Sequence, residues 1–319
     1  MKLKVTLLAA AISALTMTGC DREQQKPPEP QSEPQSQVAP QTDTAPATAT
    51  EATSETKQAD RGDTAAIAAA NELFEQQFQE FLARSPEFKT FLGMKEDYGK
   101  WNDISPAFEK ESFEITKRQL RELKKIDPSK LDDATRLSLE LAIRNHEQDI
   151  EGYKWRLHTY PVNQMYAVHT SVASLLINQH RVDDVSDAEA YISRLNGLPA
   201  HFEQLIANLK ERADAGVIVP KFVFPYVISD GENLITGAPF DDGKDSTLFA
   251  DFKGKVDKLN ISDEEKAALI EQAKTAMLEN VKPAYQNLIG YLGELEKTAT
   301  TDDGAWKLPD GDEFYQHRL

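Results

Sequence analysis

The strongest constraint on the fold is the spacing of apolar residues by three and four positions along residues 63–319. One stretch shows it without interruption, with Leu139, Ile143, His146, Ile150, Tyr153 and Leu157. Residues three and four apart lie on one face of an α-helix, so the spacing predicts helices with one buried side. We therefore predict an all-α fold, an irregular multi-helix domain that follows a disordered N-terminal linker.

Helix start signals divide this domain into segments. Each signal consists of one or more of three features: a capping side chain, a proline suited to a first helical turn, and acidic residues at a helix N-terminus. The predicted starts are Asp63, Ser105-Pro106, Asp132-Asp133, Ser186-x-x-Glu189, Ser262-x-x-Glu265 and Pro283. The two Ser-x-x-Glu patterns are read as capping boxes. A helix over residues 186–209 is predicted to kink or break briefly at Asn196–Pro199, because proline interrupts helical hydrogen bonding.

Two later segments give weaker signals. Val217–Ile228 is almost entirely apolar, and the pattern fits either a buried strand or a helix entered through Pro220. Pro220 and Pro225 weaken the strand alternative, since proline cannot donate to a sheet. The segment from Ser229 to Asp245 is rich in glycine and aspartate, and we predict a long loop there.

The N-terminus has the pattern of a bacterial secretory signal. Lys2 and Lys4 precede an uncharged run from Val5 to Ala14, and small residues then lead to Cys20. The ending resembles a lipobox, in which the cysteine thiol receives a diacylglycerol and becomes the new N-terminus. We predict a signal peptide over residues 1–19 and lipidation at Cys20. The alternative is an ordinary signal peptide cut nearby, with Cys20 left as a free thiol.

Lipidation of Cys20 would set both the location and the chemistry of the chain. Acyl chains give stable membrane attachment, so we expect a lipid-anchored protein of the bacterial envelope that faces the periplasm. Asp21 resembles the inner-membrane retention signal of enteric lipoproteins and favours that membrane. Because Cys20 is the only cysteine, the fold is expected to have no disulfide, no cysteine zinc site and no thiol nucleophile.

Residues 20–62 are predicted to form a disordered linker. Six prolines, at 27, 28, 30, 34, 40 and 46, recur among polar residues, and Val38 is the single large aliphatic side chain. Such a composition cannot bury enough apolar surface to offset the entropy of ordering. A spacer is favoured, and a proline-rich recognition site is the alternative. The net charge of −17 argues against nucleic acid as a partner.

The six histidines, at positions 146, 158, 169, 180, 201 and 317, do not form a metal-binding motif. His146-Glu147 begins a His-Glu-x-x-His pattern, but Ile150 occupies the position of the second histidine. We predict instead that His146 is a hydrogen-bonded core residue. His158, His169 and His180 recur every eleven residues, which on a helix separates them by about 16 Å, too far to share one metal ion.

Other candidate sites are also weak. Asp241–Asp245 resembles the start of a calcium loop, but Phe252 occupies its twelfth position. Phe222, Phe224 and Tyr226 could line a groove, although burial in the core is the favoured interpretation. We therefore predict no catalytic residue and no metal ligand in this chain, with Cys20 as its one functional position.

Four stretches resemble the bacterial domain of unknown function 885 (DUF885) family. They are Ser186–Tyr191 followed by Arg194, Leu195 and Pro199; Gly216 with Pro220, Phe222 and Val223; Pro283–Tyr285 leading to Tyr291-Leu292; and Gly304–Gly311 with Phe314, Tyr315 and Leu319. The resemblance extends over about residues 70–319. It implies a secreted or lipid-anchored helical protein of a family whose members are commonly about twice as long.

The family resemblance also implies a zinc metallopeptidase, with a His-Glu-x-x-Pro-Gly-His motif in the C-terminal half. No residue here matches that motif. We therefore expect the N-terminal half of a truncated or split member, inactive alone, with zinc only in the C-terminal half and a second chain as the source of that half. The alternative is a stand-alone helical lipoprotein that binds a peptide or partner protein. The apolar residues Trp306, Leu308, Phe314 and Tyr315 are expected to need a packing partner.

Overall fold

The computed structural model describes residues 62–319, so the predicted signal peptide, Cys20 and almost all of the predicted linker lie outside the described residues. Over the described range the secondary structure is helical and contains no β-strand, which confirms the all-α prediction. The helices are α1 Thr64–Ala83, α2 Pro86–Phe91, α3 Pro106–Leu123, α4 Asp133–Gly152, α5 Val168–Asn178, α6 Val185–Asp214, α7 Phe224–Leu234, α8 Thr247–Val256, α9 Asp263–Ala276, α10 Lys282–Glu296 and α11 Gly311–Arg318.

The long helix α6 carries much of the main core. Its buried side includes Leu195, Leu198 and Phe202 and packs against α5, α9 and α10. Of the kink or short break predicted at Asn196–Pro199, the break is wrong, because α6 runs through Pro199 as one helix. The kink stays a prediction. Apolar residues are buried on both sides of the proline, and the indole Nε1 of Trp101 donates a 2.8 Å hydrogen bond to the carbonyl of Arg194.

A π-helical turn over Met277–Val281 joins α9 to α10. The capping box at Ser262 and Glu265 is confirmed, with hydrogen bonds in both directions. The predicted end of α9 near Leu278 and the predicted start at Pro283 both fall in or beside the π turn. Proline lacks the N–H needed for a regular helical bond and clashes with the preceding turn, and a wider turn relieves both conflicts. Asn280 in this turn donates to Asn196 of α6 at 3.0 Å.

The start of α6 differs from the predicted capping box. Asp184, not Ser186, is the N-cap residue, and its Oδ1 accepts from the backbone N–H of Asp187 at 3.1 Å. Ser186 lies two residues after the true N-cap, inside the first turn of the helix, and its hydroxyl donates to Asp184 at 2.7 Å. The Ser-x-x-Glu pattern was therefore two residues out of register with the true cap.

We expect Asp184→Ala to lower the free energy of unfolding by about 1 kcal/mol, because the helix loses its capping acceptor. Ser186→Ala is the matched control and should change that free energy by less than about 0.5 kcal/mol. Urea unfolding followed by circular dichroism measures both values. A larger effect at Ser186 than at Asp184 would restore the capping box as the true helix start.

The ambiguous segment Val217–Ile228 is helical. A 3₁₀ turn over Lys221–Val223 leads into α7, which confirms the helix entered through Pro220 and excludes the strand. The loop predicted from Ser229 is wrong in its first part, since α7 continues to Leu234. The sequence patterns also missed α2, α5, α8 and α11. Helix α5, for example, follows Ala167 and has no side-chain cap that could have marked its start.

A second, smaller core lies among α1, α3 and α4. Its fully buried residues are Ala70, Leu123, Leu131 and Leu139. The predicted caps hold at all three helix starts, since Asp63, Ser105 and Asp132 each accept a hydrogen bond from the first helical turn. In the part of the chain that the structure describes, no helix combines the length and apolar character needed to cross a bilayer.

Candidate functional site

The best candidate for a polar site is a cluster around Arg194, one of the residues on which the family resemblance rests. Its side chain is fully buried. Nε donates to the carbonyl of Lys100 at 3.0 Å, Nη1 to Nδ1 of His180 at 3.0 Å, and Nη2 to the hydroxyl of Thr90 at 2.7 Å. The rings of Tyr98 and Trp101 lie 5.5 and 5.3 Å from the guanidinium carbon. Each donating nitrogen of this side chain thus has a protein acceptor.

His180 connects Arg194 to the start of α6. Because its Nδ1 accepts from Arg194, its Nε2 carries the proton and donates to the carbonyl of Asp187 at 3.0 Å. Burial lowers the pKa of His180 to about 4, and the positive charge of Arg194 acts in the same direction. The imidazole is therefore neutral at pH 7 and bonded on both nitrogens.

The carboxylate of Asp187 is itself buried and paired. Lys95 Nζ lies 2.6 Å from its Oδ2, and the backbone N–H of Asp183 donates to the same oxygen at 2.8 Å. The hydrogen bond that Lys95 donates to Asp187 has the largest influence on the pKa of Lys95, and it raises the pKa of that ammonium group. This pair joins the loop after α2 to the beginning of α6.

Tyr191 extends the polar cluster toward α8. Its hydroxyl donates to Asp251 at 3.2 Å, and Lys255 Nζ lies 2.8 Å from the same carboxylate. Lys255 also donates to the carbonyls of Leu176 and Ile177 at the C-terminal end of α5, where a positive charge complements the helix dipole. Burial raises the pKa of Tyr191 well above its ordinary value, so the hydroxyl stays protonated and donates.

These contacts give the resemblance to DUF885 at Ser186–Pro199 a structural explanation. Asp187, Tyr191 and Arg194 lie on the buried side of α6, and each bonds to a different neighbouring segment. Their polar atoms bond to other groups of the same chain and do not face an open cavity. The cluster joins the loop after α2, the end of α5, α6 and α8, and the arrangement can position these segments but offers no free acid, base or nucleophile.

The residues present do not fit the zinc site of the metallopeptidase motif. The ring nitrogens of His146 lie 2.7 Å from the carbonyl of Ala142 and 3.2 Å from Oε1 of Gln119. His146 is therefore hydrogen-bonded, as predicted, although half-buried rather than in the core. Within residues 62–319 no group of three His, Asp or Glu side chains is placed to hold one metal ion.

Two further histidines are buried and do not belong to the Arg194 cluster. His169 is fully buried at the start of α5, and His201 on α6 is 5% exposed and stacks on Trp101 with ring centroids 5.4 Å apart. Burial lowers the pKa of each imidazole to about 4. Both rings are neutral at pH 7, and neither Nδ1 has a hydrogen-bond partner among the described residues.

The outer surface carries large apolar side chains at the start of α5 and of α7. Met165 and Tyr166, just before α5, are 72% and 76% exposed, and Phe222 and Tyr226 are 51% and 60% exposed. Phe224 between them is fully buried. We favoured burial in the core for Phe222, Phe224 and Tyr226. That interpretation is correct for Phe224 and wrong for the other two. Helical geometry explains the split, because positions 222 and 226 share a face and 224 lies opposite.

The turn that carries Met165 and Tyr166 is held by the side chain of Asn163. Its Oδ1 accepts from the backbone N–H groups of Met165 and Tyr166 at 2.9 and 2.7 Å. Its Nδ2 donates to the carbonyls of Tyr160 and Tyr166 at 2.9 and 2.5 Å. One side chain thus makes four hydrogen bonds, which hold the backbone that carries the two exposed apolar residues.

The C-terminal segment finds part of its packing within the chain. Leu308 is buried, and the ring of Phe314 lies 5.8 Å from Trp155 and 5.0 Å from His158. Trp306 and Tyr315 remain 66% and 54% exposed. The expectation that all four apolar residues need an additional partner is therefore wrong for Leu308 and Phe314.

Comparisons with known proteins place this fold in a family. The family model described as "Bacterial protein of unknown function (DUF885)" matches residues 86–319. The crystal structure of "the putative lipoprotein from Colwellia psychrerythraea" is similar with a TM-score of 0.69 and 19% sequence identity, over 79% of this chain and 45% of that chain. This chain thus spans less than half of that protein. At this level of identity the likeness shows a shared fold.

No protein in the curated set matches this chain. The family model, however, covers nearly the whole described helical body, including the Arg194 cluster, the start of α7 and the C-terminal segment. The chain belongs to the bacterial DUF885 family of proteins of unknown function.

Proposed function

We propose that this protein is a lipoprotein of the bacterial envelope, anchored through Cys20, whose helical body binds a second polypeptide rather than performing chemistry itself. The anchor is supported by the lipobox-like sequence Met17–Cys20 and by the shared fold with a protein described as a lipoprotein. The periplasmic side is supported by the signal-like N-terminus, and the inner membrane by Asp21.

One observation carries the binding role. In the family-like stretch, Asp187, Tyr191 and Arg194 are buried and bonded to other parts of the chain, whereas large apolar side chains face outward at the starts of α5 and α7. A buried, satisfied polar cluster positions the fold, and an exposed apolar group of residues is a typical protein interaction surface. The body is therefore better suited to recognition than to catalysis.

The second polypeptide in this proposal is the C-terminal half of a metallopeptidase-like DUF885 protein, which would contribute the zinc ligands. This proposal is supported by the longer chain of the Colwellia psychrerythraea protein, of which the present chain spans 45%. A test is the nucleotide sequence beyond the codon for Leu319. A neighbouring reading frame that encodes His-Glu-x-x-Pro-Gly-His supports the proposal, and unrelated DNA counts against a split gene.

The second candidate function is a stand-alone lipoprotein that binds a peptide or an unrelated protein. The exposed residues Met165, Tyr166, Phe222 and Tyr226 suit that role equally well. Stoichiometric, tightly bound zinc in the purified chain would contradict both candidates, because each assigns no metal site to residues 62–319.

We expect Cys20→Ser to move the protein from the membrane fraction to the soluble fraction, because the acyl chains that hold it there can no longer be attached. Incorporation of labelled palmitate should fall to background in the same variant. Thr18→Ser, which leaves the cysteine in place, serves as the control and should retain both properties. Unchanged membrane retention of the Cys20→Ser chain would rule out the lipid anchor.

A further inference from the structure

We propose that Met165, Tyr166, Phe222 and Tyr226 form one docking surface, called here the display surface, and that its occupant is a second polypeptide with an apolar segment flanked by basic residues. This inference rests on the proposed function and adds the location of the binding surface. Neither the family model nor the similar structure assigns a role to these residues.

Helices α5 and α7, at whose starts the four side chains lie, pack against each other. His169, the second residue of α5, lies beside the backbone of Val227, the fourth residue of α7. Met165 and Tyr166 immediately precede α5, and Phe222 and Tyr226 are four positions apart at the entry to α7. The two exposed pairs therefore flank the same helix–helix contact.

The display surface is pre-formed on one side. The four hydrogen bonds of Asn163 fix the turn before α5, so the backbone of Met165 and Tyr166 does not have to be ordered when a partner binds. Ordering flexible side chains and loops is a principal cost of association, and a turn that is already ordered reduces that cost. Exposed methionine and tyrosine are also well suited to recognition, because they bury large apolar area.

The other part of the display surface, with Phe222 and Tyr226, lies at the start of α7, which is packed into the core. Phe224, which lies between Phe222 and Tyr226 in the sequence, and Val227, which follows Tyr226, are fully buried and anchor the start of α7. The backbone N–H of Lys221 also donates to the carbonyl of Thr300 at 2.8 Å. Two exposed aromatic rings are thus mounted on a fixed backbone, as the proposed anchor residues of an interface require.

Two observations identify the occupant. The protein has a net charge of −17, which favours association with a basic partner through long-range attraction. The similar lipoprotein carries more than half of its length outside the region matched by this chain, so this fold occurs joined to a further stretch of polypeptide. A second polypeptide that corresponds to that stretch is the occupant to which we commit.

Photo-crosslinking in the native bacterium tests the surface. The full-length chain carries p-benzoylphenylalanine in place of Tyr166, and the products are identified by mass spectrometry. We expect one dominant product, joined to a polypeptide that contains the remaining part of the DUF885 fold. Adding Asn163→Ala should lower the yield at least threefold, because the turn loses its four hydrogen bonds. The same probe in place of Leu137, which is 56% exposed on α4, is the matched control and should give no such product.

The other outcomes overturn the inference in different ways. A product of twice the chain mass would identify a second copy as the occupant, and a product with an unrelated protein would favour the stand-alone binding function. The absence of a Tyr166 product from a protein that still fractionates with the membrane would remove the display surface but leave the Cys20 anchor intact. Loss of membrane association itself would instead contradict the proposed function.

Discussion

Replacing Arg194 by methionine is expected to lower the free energy of unfolding by about 3–5 kcal/mol, among the largest effects of any single substitution in the described domain. The reason is the environment of the guanidinium group. It is fully buried and donates to the carbonyl of Lys100, to His180 and to Thr90. Methionine fills much of the volume but leaves these acceptors buried without a donor, and each such loss costs about 1–3 kcal/mol.

Urea unfolding of the purified protein, followed by circular dichroism, measures this loss. Arg181→Met is the control, because Arg181 lies on the surface and should change the free energy of unfolding by less than about 0.5 kcal/mol. A double-mutant cycle sharpens the test. Either single substitution, Arg194→Met or Thr90→Val, removes the hydrogen bond between these two side chains, so in the double variant that bond is lost only once. The combined loss should therefore be smaller than the sum of the two single losses by about 1 kcal/mol. Simple additivity would show that the 2.7 Å contact between these side chains contributes little.

The parts of the fold that follow local rules could be predicted from the sequence. Asp63, Ser105, Asp132 and Ser262 cap helices as predicted, because capping depends on a side chain and a backbone N–H two or three residues apart. The apolar stripe beginning at Leu139 likewise marks helix α4, but that helix ends at Gly152, so Tyr153 and Leu157 lie beyond it. In each case the interaction lies within one turn of the helix, where a sequence pattern contains all the necessary information.

The features of the fold that were predicted wrongly, or not at all, depend on contacts between segments that are distant in the sequence. Arg194 bonds to Thr90, 104 residues away, and Trp101 bonds to the carbonyl of Arg194 across 93 residues. Helix α6 continues through Pro199 with its apolar side buried before and after the proline, which local rules alone would not predict. The π turn before Pro283 is of the same kind, because it packs against α6. Helix α5 was missed since it has no capping side chain and is identified by what it packs against.

The candidate site shows the same division. The resemblance at Ser186–Pro199 correctly singled out residues that matter, but their role became apparent only when Asp187, Tyr191 and Arg194 were seen to bond to separate segments. Exposure of Phe222 and Tyr226 required the helical assignment of a segment that could also have been a strand. Asn163 was missed altogether. Its one signal in the sequence was the residue type, because asparagine side chains often hydrogen-bond the backbone two residues on, as in an Asx turn.

The polar cluster and the histidines together imply that this fold depends on a neutral pH. His169, His180 and His201 are almost completely buried, and burial lowers the pKa of each from 6.5 to about 4. Between pH 6.5 and pH 4 the unfolded chain binds protons at these positions and the folded chain does not. Stability is therefore greatest above pH 6.5 and falls as the pH decreases, until the folded state is itself protonated near pH 4.

We expect the free energy of unfolding to fall by about 6 kcal/mol between pH 7.5 and pH 5, about 2 kcal/mol for each of the three histidines. Proteins of this size are commonly stable by about 5–15 kcal/mol, so this loss would remove a large fraction of the total stability. Buried carboxyls whose pKa is raised, such as those of Glu87 and Glu109, oppose this loss, but carboxyl groups exchange most of their protons below the range in which the histidines act.

Substitution of single histidines separates this mechanism from general acid denaturation. His201→Phe keeps an aromatic ring stacked on Trp101 and removes the titrating group, so the loss between pH 7.5 and pH 5 should shrink by about 2 kcal/mol. His317→Gln, at the C-terminal helix and 4.0 Å from Glu151, is the control and should show the full loss. Urea titrations at the two pH values measure all three proteins. Equal losses in His201→Phe and the unsubstituted protein would mean that His201 binds its proton at about the same pH in the folded chain as in the unfolded chain. That result would contradict the lowered pKa expected from its burial against Trp101.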